Sequence, residues 1–550
     1  MALDCLRLEP AKRCSAFLSN PNWAICVCTT VRPFSNSDKE SGINGPWTSV
    51  VLRSDTLGVE AKKRGIHSNA TSISYTRPIA TPRQKCDNIN TVDQSVSAST
   101  FPSRRAFLSS LAVALPQASK KPNILFILTD DQRQDTIAAM GNPHIRTPNL
   151  DSLVTSGLTF VNAYCMGGYI GAVCTPSRMM IQRGRAWFSV RNQPPDYPCL
   201  PRSMKEAGYV TFHLGKKGNV DTQSNALYDN TLYMEPSDVA ERESGRPGQQ
   251  VADRTIGFLK DWKKDANRKP FFLYLAGPAP HDPRIAPPEY LAKYNPAKLP
   301  LPPNYKPFHP FDNGEMLLRD EQLAPWPRTE VEIRRHLQEY YAVIEAMDAQ
   351  FGRIFAQLKE MGEYENTIIV FTQDQGIAIG SHGLMGKQNL YEHSMRSGLI
   401  LTGPGIPRNK RVNSFAYLFD IYPTLCDFAG APKASSLEGR SLLPVIQGKS
   451  TAVRDTIFLA YRDVQRAVRQ GRWKLIRYAK INRSQLFDLE KDPYEMRDLA
   501  GDASQRTRVV QLMALMLEQQ KLFGDTAALS SDKPGSGEVT LEFFQKAKRQ

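Results

Sequence analysis

The amino-acid sequence predicts an α/β fold with a smaller α+β domain behind it. Two observations carry this. Between residues 120 and 440, short continuous apolar runs alternate with segments of helical periodicity, as buried parallel strands joined by helices do. Beyond Pro444 the runs become shorter and closer together, separated by turn residues. At 550 residues the chain is too long for one core, so two folded units plus additional sequence is the natural organisation.

Residues 1–118 read as a disordered leader, rich in Ser, Thr, Asn and Pro and without sustained periodicity. Near its end Arg104 and Arg105 precede an apolar stretch from Leu108 to Leu115, then Ala118 and Ser119. This resembles a twin-arginine export signal with cleavage near Ala118, which implies a periplasmic or secreted protein. Such signals belong at an N-terminus, so the reading requires a true start close to residue 100. The competing reading is a leader followed by a buried apolar segment.

The body, residues 119–440, opens with an apolar run at 124–129. Comparable runs follow at 209–214, 271–275 and 367–372. Between the last two lies a long helix. Thr329 and Glu332 form a capping box, and Leu337, Tyr341, Ile344, Phe351, Ile354, Phe355 and Leu358 share one face. Gly362 stops it. The small domain, 441–525, shows strand-like runs at 457–461, 466–469, 473–478 and 486–489, then an amphipathic helix over 504–522. Residues 526–550, with Lys533-Pro534-Gly535-Ser536-Gly537, read as a loosely ordered tail.

The net charge of +15 raises the question of an anionic partner. The leader holds 14 Lys+Arg against 8 Asp+Glu, and the remaining surplus is dispersed. There is no long Lys/Arg block, zinc-finger spacing or RNA-binding signature, which argues against nucleic acid and leaves a solvated surface or a sulfated or phosphorylated polymer. No apolar run reaches the roughly 18 residues of a transmembrane segment. The nine cysteines are irregularly spaced. Cys165, Cys174, Cys199 and Cys426 in the body leave room for at most one bridge.

Four apolar runs end in reactive residues: Asp130 and Asp131, Lys216 and Lys217, His281 and Asp282, Asp374 and Gln375. Ligands of open α/β sheets bind at the carboxyl ends of the strands. Adjacent carboxylates repel unless a cation lies between them, and Asp oxygens with the Gln375 amide suit Ca²⁺ or Mg²⁺ better than zinc. Asp130 and Asp131 alone would serve equally as a turn with a capping Asp. In the segment Cys174-Thr175-Pro176-Ser177-Arg178, Pro176 suits the first position of a helix. Cys174 then sits just before a helix N-terminus, where anions are favoured. That makes it an activated thiol, a ligand beside an oxyanion pocket, or a buried structural cysteine. Arg178 lies one turn on, its fork available to an anion or to residue 174.

Cys174-Thr175-Pro176-Ser177-Arg178 resembles the C-x-P-x-R signature of type I sulfatases, and continues to Gly184-Arg185 as the family does. The strand from Pro122 to Asp131, Gly208-Tyr209 to Lys216, Pro280-His281-Asp282-Pro283, Asp374-Gln375-Gly376, His382-Gly383, Gly386-Lys387 and Gln485-Leu486-Phe487-Asp488-Leu489 resemble further family segments in order. The resemblance implies the formylglycine-dependent, alkaline-phosphatase-like architecture: a large mixed, mostly parallel sheet flanked by helices. It implies Cα-formylglycine made from Cys174 by a formylglycine-generating enzyme, and one Ca²⁺ held by Asp130, Asp131, Asp374, Gln375 and residue 174. It implies that Arg178, Lys216 and Lys387 offset charge on a transferring sulfate and that His281 assists the leaving alcohol. The implied substrate is a sulfated small molecule or polysaccharide.

The chain departs from the family in two places. Lys217-Gly218 stands where Trp-His is usual, leaving Asn219, Lys217 or His213 as replacements for the missing histidine, and Gln375 stands where Asn or His is usual. Two other functions stay open: a phosphodiesterase or phosphonate monoesterase of the same superfamily, and a non-catalytic receptor for sulfated glycans. Specificity falls to loops 221–250 and 285–326. There Tyr290, Tyr294, Tyr305, Phe308, His309, Phe311, Arg319 and Trp326 suit either a carbohydrate or ordinary loop packing.

Overall fold

The computed structural model describes residues 120–192, 197–218, 220–234 and 246–547, and the backbone of residues 12–20 and 23–30. The twin arginines lie outside the described residues. Within the leader expected to be disordered, strands β1 (Lys12–Asn20) and β2 (Trp23–Thr30) pair as an antiparallel hairpin. The hairpin belongs to a separate compact unit.

The main unit is built on an eight-stranded sheet. Its strands are β3 (Asn123–Thr129), β4 (Leu158–Tyr164), β6 (Val210–Lys216), β7 (Asn230–Met234), β8 (Phe271–Ala276), β9 (Thr367–Gln373), β10 (Arg396–Thr402) and β11 (Lys410–Tyr417). The order is β11-β4-β10-β9-β3-β8-β6-β7, and β10 alone pairs antiparallel to its neighbours. The fold is therefore the mixed, mostly parallel sheet expected.

The continuous apolar runs have a direct cause, since both faces of the sheet are covered. On β3, Ile124, Phe126 and Leu128 join one core while Leu125 and Ile127 join the other. Strands β8 and β9 divide in the same way. Helix α1 (Pro148–Ser156) and the long helix (Glu330–Glu360) cover the second face. Thr329 Oγ1 accepts from the Glu332 amide at 3.3 Å, but the Glu332 carboxylate pairs with Arg335 and His336, so only half of the expected capping box forms. Gly362, at φ 68°, follows the helix end as expected.

The first face carries helix α2 (Cys174–Arg183), the helix Ile421–Ala429 and the small domain. The small domain's strands β12 (Thr456–Tyr461), β13 (Gln465–Gln470), β14 (Trp473–Tyr478) and β15 (Arg483–Asp488) form an antiparallel sheet. A fifth strand, β5 (Gly167–Gly168), comes from the catalytic region and pairs parallel with β12. A Cβ on Gly167 would lie 2.2 Å from the Ala460 carbonyl oxygen, so only glycine permits this approach. At the seam, fully buried Lys474 pairs with Glu392 at 2.9 Å and Glu495 at 2.8 Å.

The segment after Phe523, expected to be loosely ordered, is docked. Arg466 and Asp525 form a buried pair at 2.6 Å, Asp312 N donates to Gly537 O at 2.8 Å, and the Phe544 ring stacks on Trp326 at 4.2 Å. The linker-like composition conceals these anchors because they are single residues. Cys165, Cys174, Cys199 and Cys426 are buried free thiols, with no bridge among them. No helix among the described residues is long and apolar enough to cross a membrane.

Candidate active site

Strands β9, β3, β8 and β6 are adjacent in the sheet, and their carboxyl ends meet at one place. Asp130 and Asp131 follow β3, Asp374 and Gln375 follow β9, His281 and Asp282 lie beyond β8, and Lys216 ends β6. Helix α2 adds Cys174 and Arg178 from the first face, and the loop after β9 adds Lys387. Asp130, Asp131, Cys174, Arg178, Lys216, His281, Asp374, Gln375 and Lys387, all named from the sequence, join this cluster.

The Cys174 thiol donates to Asp130 at 3.1 Å and receives Lys387 Nζ and Gln375 Nε2, each at 3.2 Å. Lys387 Nζ reaches both Asp131 oxygens at 2.8 Å. Arg178 donates to Asp130 at 3.2 Å, to Asp374 at 3.1 Å and to the Ala276 carbonyl at 3.1 Å. Lys216 pairs with Asp130, and His281 Nε2 lies 3.6 Å from Asp131. Asp374 also accepts from the backbone amides of Asp131 at 3.1 Å and Gln375 at 2.9 Å.

Three carboxylates thus face three permanent cations in a nearly dry site: the carboxylates, Arg178 and Lys387 are almost fully buried, while Lys216 and His281 keep 14% and 16% exposure. Burial raises the Asp130 carboxyl, but Lys216 and Arg178 overcome it and hold the group well below the ordinary range. Burial, reinforced by Asp130 and Asp131, pushes Asp374 up to about 7. That is the behaviour of a buried carboxylate crowded by other carboxylates. Burial and Asp130 also push the Cys174 thiol well above its ordinary value.

A divalent cation fits this arrangement. One ligand atom from each of Asp130, Asp131, Cys174 and Asp374 lies within 4.8 Å of the others. Gln375 Oε1 is buried with no hydrogen-bond partner while its Nε2 faces Asp131 Oδ1 at 2.6 Å. Exchanging the two amide atoms by a half-turn would aim an oxygen at the same place. Oxygen donors of this kind favour Ca²⁺ or Mg²⁺. With a cation added, the balanced set of three acids and three bases becomes net positive, which suits an anionic substrate group.

Several expectations need correction. Cys174 opens helix α2 and Pro176 is its third residue, two positions later than expected. Proline is tolerated there because first-turn amides have no acceptor within the helix. The Cys174 thiol is not activated, because burial beside Asp130 outweighs the helix N-terminus and the two lysines. The Arg178 fork is engaged by Asp130, Asp374 and Ala276, so it sets the carboxylates in place and is not available to an anion. His213 packs among Tyr228, Tyr233 and Tyr274 with neither nitrogen bonded, as a core residue; Asn219 lies outside the described residues. Of the loop aromatics, Tyr294 and Phe311 are buried, and Phe308 and Trp326 pack on Phe544. Arg319 does reach the site mouth, pairing with Asp282.

Two supporting residues carried no sequence signal. Tyr340 Oη donates to the Asp131 carbonyl at 2.6 Å and receives the Arg133 amide at 2.8 Å. Ser177 Oγ donates to the Asp374 carbonyl at 2.7 Å. Each braces the backbone of a candidate ligand, at φ 60° in the case of Asp131.

The family model described as Sulfatase matches residues 122–431, and the one described as N-sulphoglucosamine sulphohydrolase, C-terminal, matches residues 380–522. An N-acetylglucosamine-6-O-sulfatase of Bacteroides thetaiotaomicron is 26% identical over 80% of this chain and 93% of its own. Arylsulfatase K of Rattus norvegicus is 27% identical over 70% of this chain and 76% of its own. Among solved structures, a protein bound to its substrate D-glucosamine-2-N,6-O-disulfate superposes with a TM-score of 0.61, at 24% identity, over 74% of this chain and 99% of its own. A phosphonate monoester hydrolase of Agrobacterium radiobacter superposes with a TM-score of 0.62, at 21% identity, over 76% of this chain and 99% of its own. Shape alone therefore does not separate the two chemistries.

Proposed function

The chain belongs to the sulfatase family, and on that premise we propose that it hydrolyses sulfate esters of a carbohydrate, using a nucleophile derived from Cys174 beside a bound Ca²⁺. The observation that carries this reading is the convergence of Asp130, Asp131, Asp374 and Gln375 on Cys174, flanked by Lys216 and Lys387. Sulfated saccharides named for the relative and the superposed protein favour a carbohydrate substrate.

Formylglycine at 174, made by a formylglycine-generating enzyme, would take up water to give a geminal diol whose hydroxyl is the nucleophile, whereas burial keeps unmodified Cys174 in its weakly nucleophilic thiol form. Asp130, Asp131, Asp374, Gln375 and residue 174 would hold Ca²⁺, which would supply Lewis-acid activation of the nucleophile and of the sulfate group. Arg178 fixes Asp130 and Asp374, so their oxygens need no reorganisation during reaction. Lys387 and Lys216, 3.2 Å from the sulfur and against Asp130 respectively, offset charge on the sulfate oxygens. His281 Nδ1 lies 2.8 Å from the Asp282 carbonyl, which only accepts, so Nδ1 carries the hydrogen. Nε2 is then a donor only in the imidazolium form, and in that form it protonates the leaving alcohol oxygen.

Export through the twin-arginine segment at Arg104-Arg105 completes the reading and is compatible with modification of Cys174 before transport. N-terminal sequencing of native protein tests it: a mature start near residue 119 supports export, and an intact Met1 in a cytoplasmic fraction rejects it. For the reaction, comparing turnover of an aryl sulfate with that of an aryl phosphodiester tests the assignment. Preference for the diester would favour phosphonate monoesterase chemistry.

A further inference from the structure

His281 stands between two carboxylates. Its Nε2 lies 3.6 Å from Asp131, and its Nδ1 lies 2.8 Å from the Asp282 carbonyl oxygen and 3.5 Å from the Asp282 carboxylate. The carbonyl and the carboxylate of Asp282 therefore compete for one ring hydrogen, and the acceptor that takes it sets where Nε2 points. The charged carboxylate is intrinsically the stronger acceptor.

Arg319 biases that competition toward the carbonyl. Its fork takes both carboxylate oxygens of Asp282, Nη1 to Oδ1 at 2.8 Å and Nη2 to Oδ2, and holds the carboxylate off the ring. An exposed ion pair is ordinarily worth little, and the Arg319 side chain is 60% exposed. Here the Asp282 side chain is buried, the pair is bidentate, and the backbone beneath Arg319 is fixed. Arg319 opens the short 3₁₀ helix Arg319–Leu323. The next residue, Asp320, accepts from Arg319 Nη1 at 3.0 Å and from Gln388 Nε2 at 2.7 Å. Glu321 accepts from the amides of Met385 at 2.9 Å and Gly386 at 2.8 Å, and pairs with fully buried Arg328 at 2.8 Å. The turn that aims Arg319 is thus anchored on the loop that carries Lys387.

We propose that Arg319 is a positioning residue for ester cleavage: through Asp282 it sets the His281 ring so that Nε2 faces the leaving oxygen. The proposal rests on the sulfatase reading, with His281 as proton donor. As the S–O bond to the alcohol breaks, its electron pair passes to the alcohol oxygen, which takes the Nε2 proton. The more basic the leaving group, the more it needs that proton, so the contribution of Arg319 grows with leaving-group basicity.

The test is kcat/KM of the calcium-loaded, formylglycine-bearing protein for para-nitrophenyl, phenyl and para-methoxyphenyl sulfate. Arg319→Ala should cost about twofold or less on the nitrophenyl ester and about tenfold or more on the methoxyphenyl ester, and Arg319→Lys should recover part of the loss. In a His281→Ala background, Arg319→Ala should change neither ester by more than about twofold. No loss, an equal loss across the three esters, or an undiminished loss without His281 overturns the proposal. A crystal structure of Arg319→Ala tests the geometry without turnover. The His281 ring should leave the Asp282 carbonyl, and a ring that stays in place overturns the proposal. Failure of the sulfatase reading would appear separately, as no hydrolysis of any of the three esters by the unsubstituted protein.

Discussion

Gly167 lies against the backbone of Ala460, so close that a Cβ would meet the carbonyl oxygen at 2.2 Å. This contact ties the loop leading to Cys174 into the small domain's sheet through β5 and β12. Gly167 also has φ 105°, a conformation that side chains rarely adopt. Gly167→Ala should therefore cost about 3 kcal/mol and reduce turnover, because Cys174 lies seven residues on. A denaturant midpoint equal to that of the unsubstituted protein would refute the link between the two sheets.

Metal binding should appear as stability. Ca²⁺ at a hundred times its dissociation constant should stabilise the protein by about 2.7 kcal/mol, and a chelator should reverse the gain. Asp131→Ala and Asp374→Ala should abolish the calcium-dependent rise in Tm as well as activity. A calcium response retained in both variants would place the ion elsewhere.

Acid should destabilise the protein from about pH 6.5 downward. Burial holds His213 at about 3 and both His309 and His336 at about 4, and it holds His382 and His393 well below the ordinary value. These folded-state values lie below the unfolded one, so the unfolded chain binds more protons across the interval. Stability is then complete above pH 6.5, and each such histidine removes about 1.4 kcal/mol per pH unit on the way down to its folded pKa. His213→Phe should flatten the fall in Tm between pH 6.5 and 5. An unchanged slope would mean that His213 takes up its proton in the folded state.

The docked C-terminal segment should resist proteolysis while the Arg466–Asp525 pair is intact. Asp525→Ala leaves a buried guanidinium unpaired, costing about 3–5 kcal/mol. Limited thermolysin digestion should then cut within 526–540, at Leu529 or Val539, well before the core is attacked. Identical digestion of the two proteins would show that other contacts hold the segment.

The parts of the fold legible in the sequence are those where burial on both faces leaves a continuous apolar run, as in β3, β8 and β9. Strand β15 starts at Arg483, three residues before the apolar run that signalled it, because Arg483 and Ser484 are not buried. Strand β5 is two glycines, with no side chains to form a pattern. At the active site, strand ends supplied the candidate ligands directly. The engagement of Arg178 by two carboxylates, and the bracing by Tyr340 and Ser177, depend on contacts across 48 to 209 residues of chain that no local pattern encodes.

The central claim is tested most directly by release of inorganic sulfate from para-nitrophenyl sulfate, measured on calcium-loaded protein whose residue 174 has been shown by mass spectrometry to be formylglycine. The modified protein should release sulfate continuously, and Cys174→Ala, with the same far-ultraviolet circular dichroism, should release none. Equal release by Cys174→Ala, or no release by the fully modified protein, would contradict a sulfatase built on Cys174.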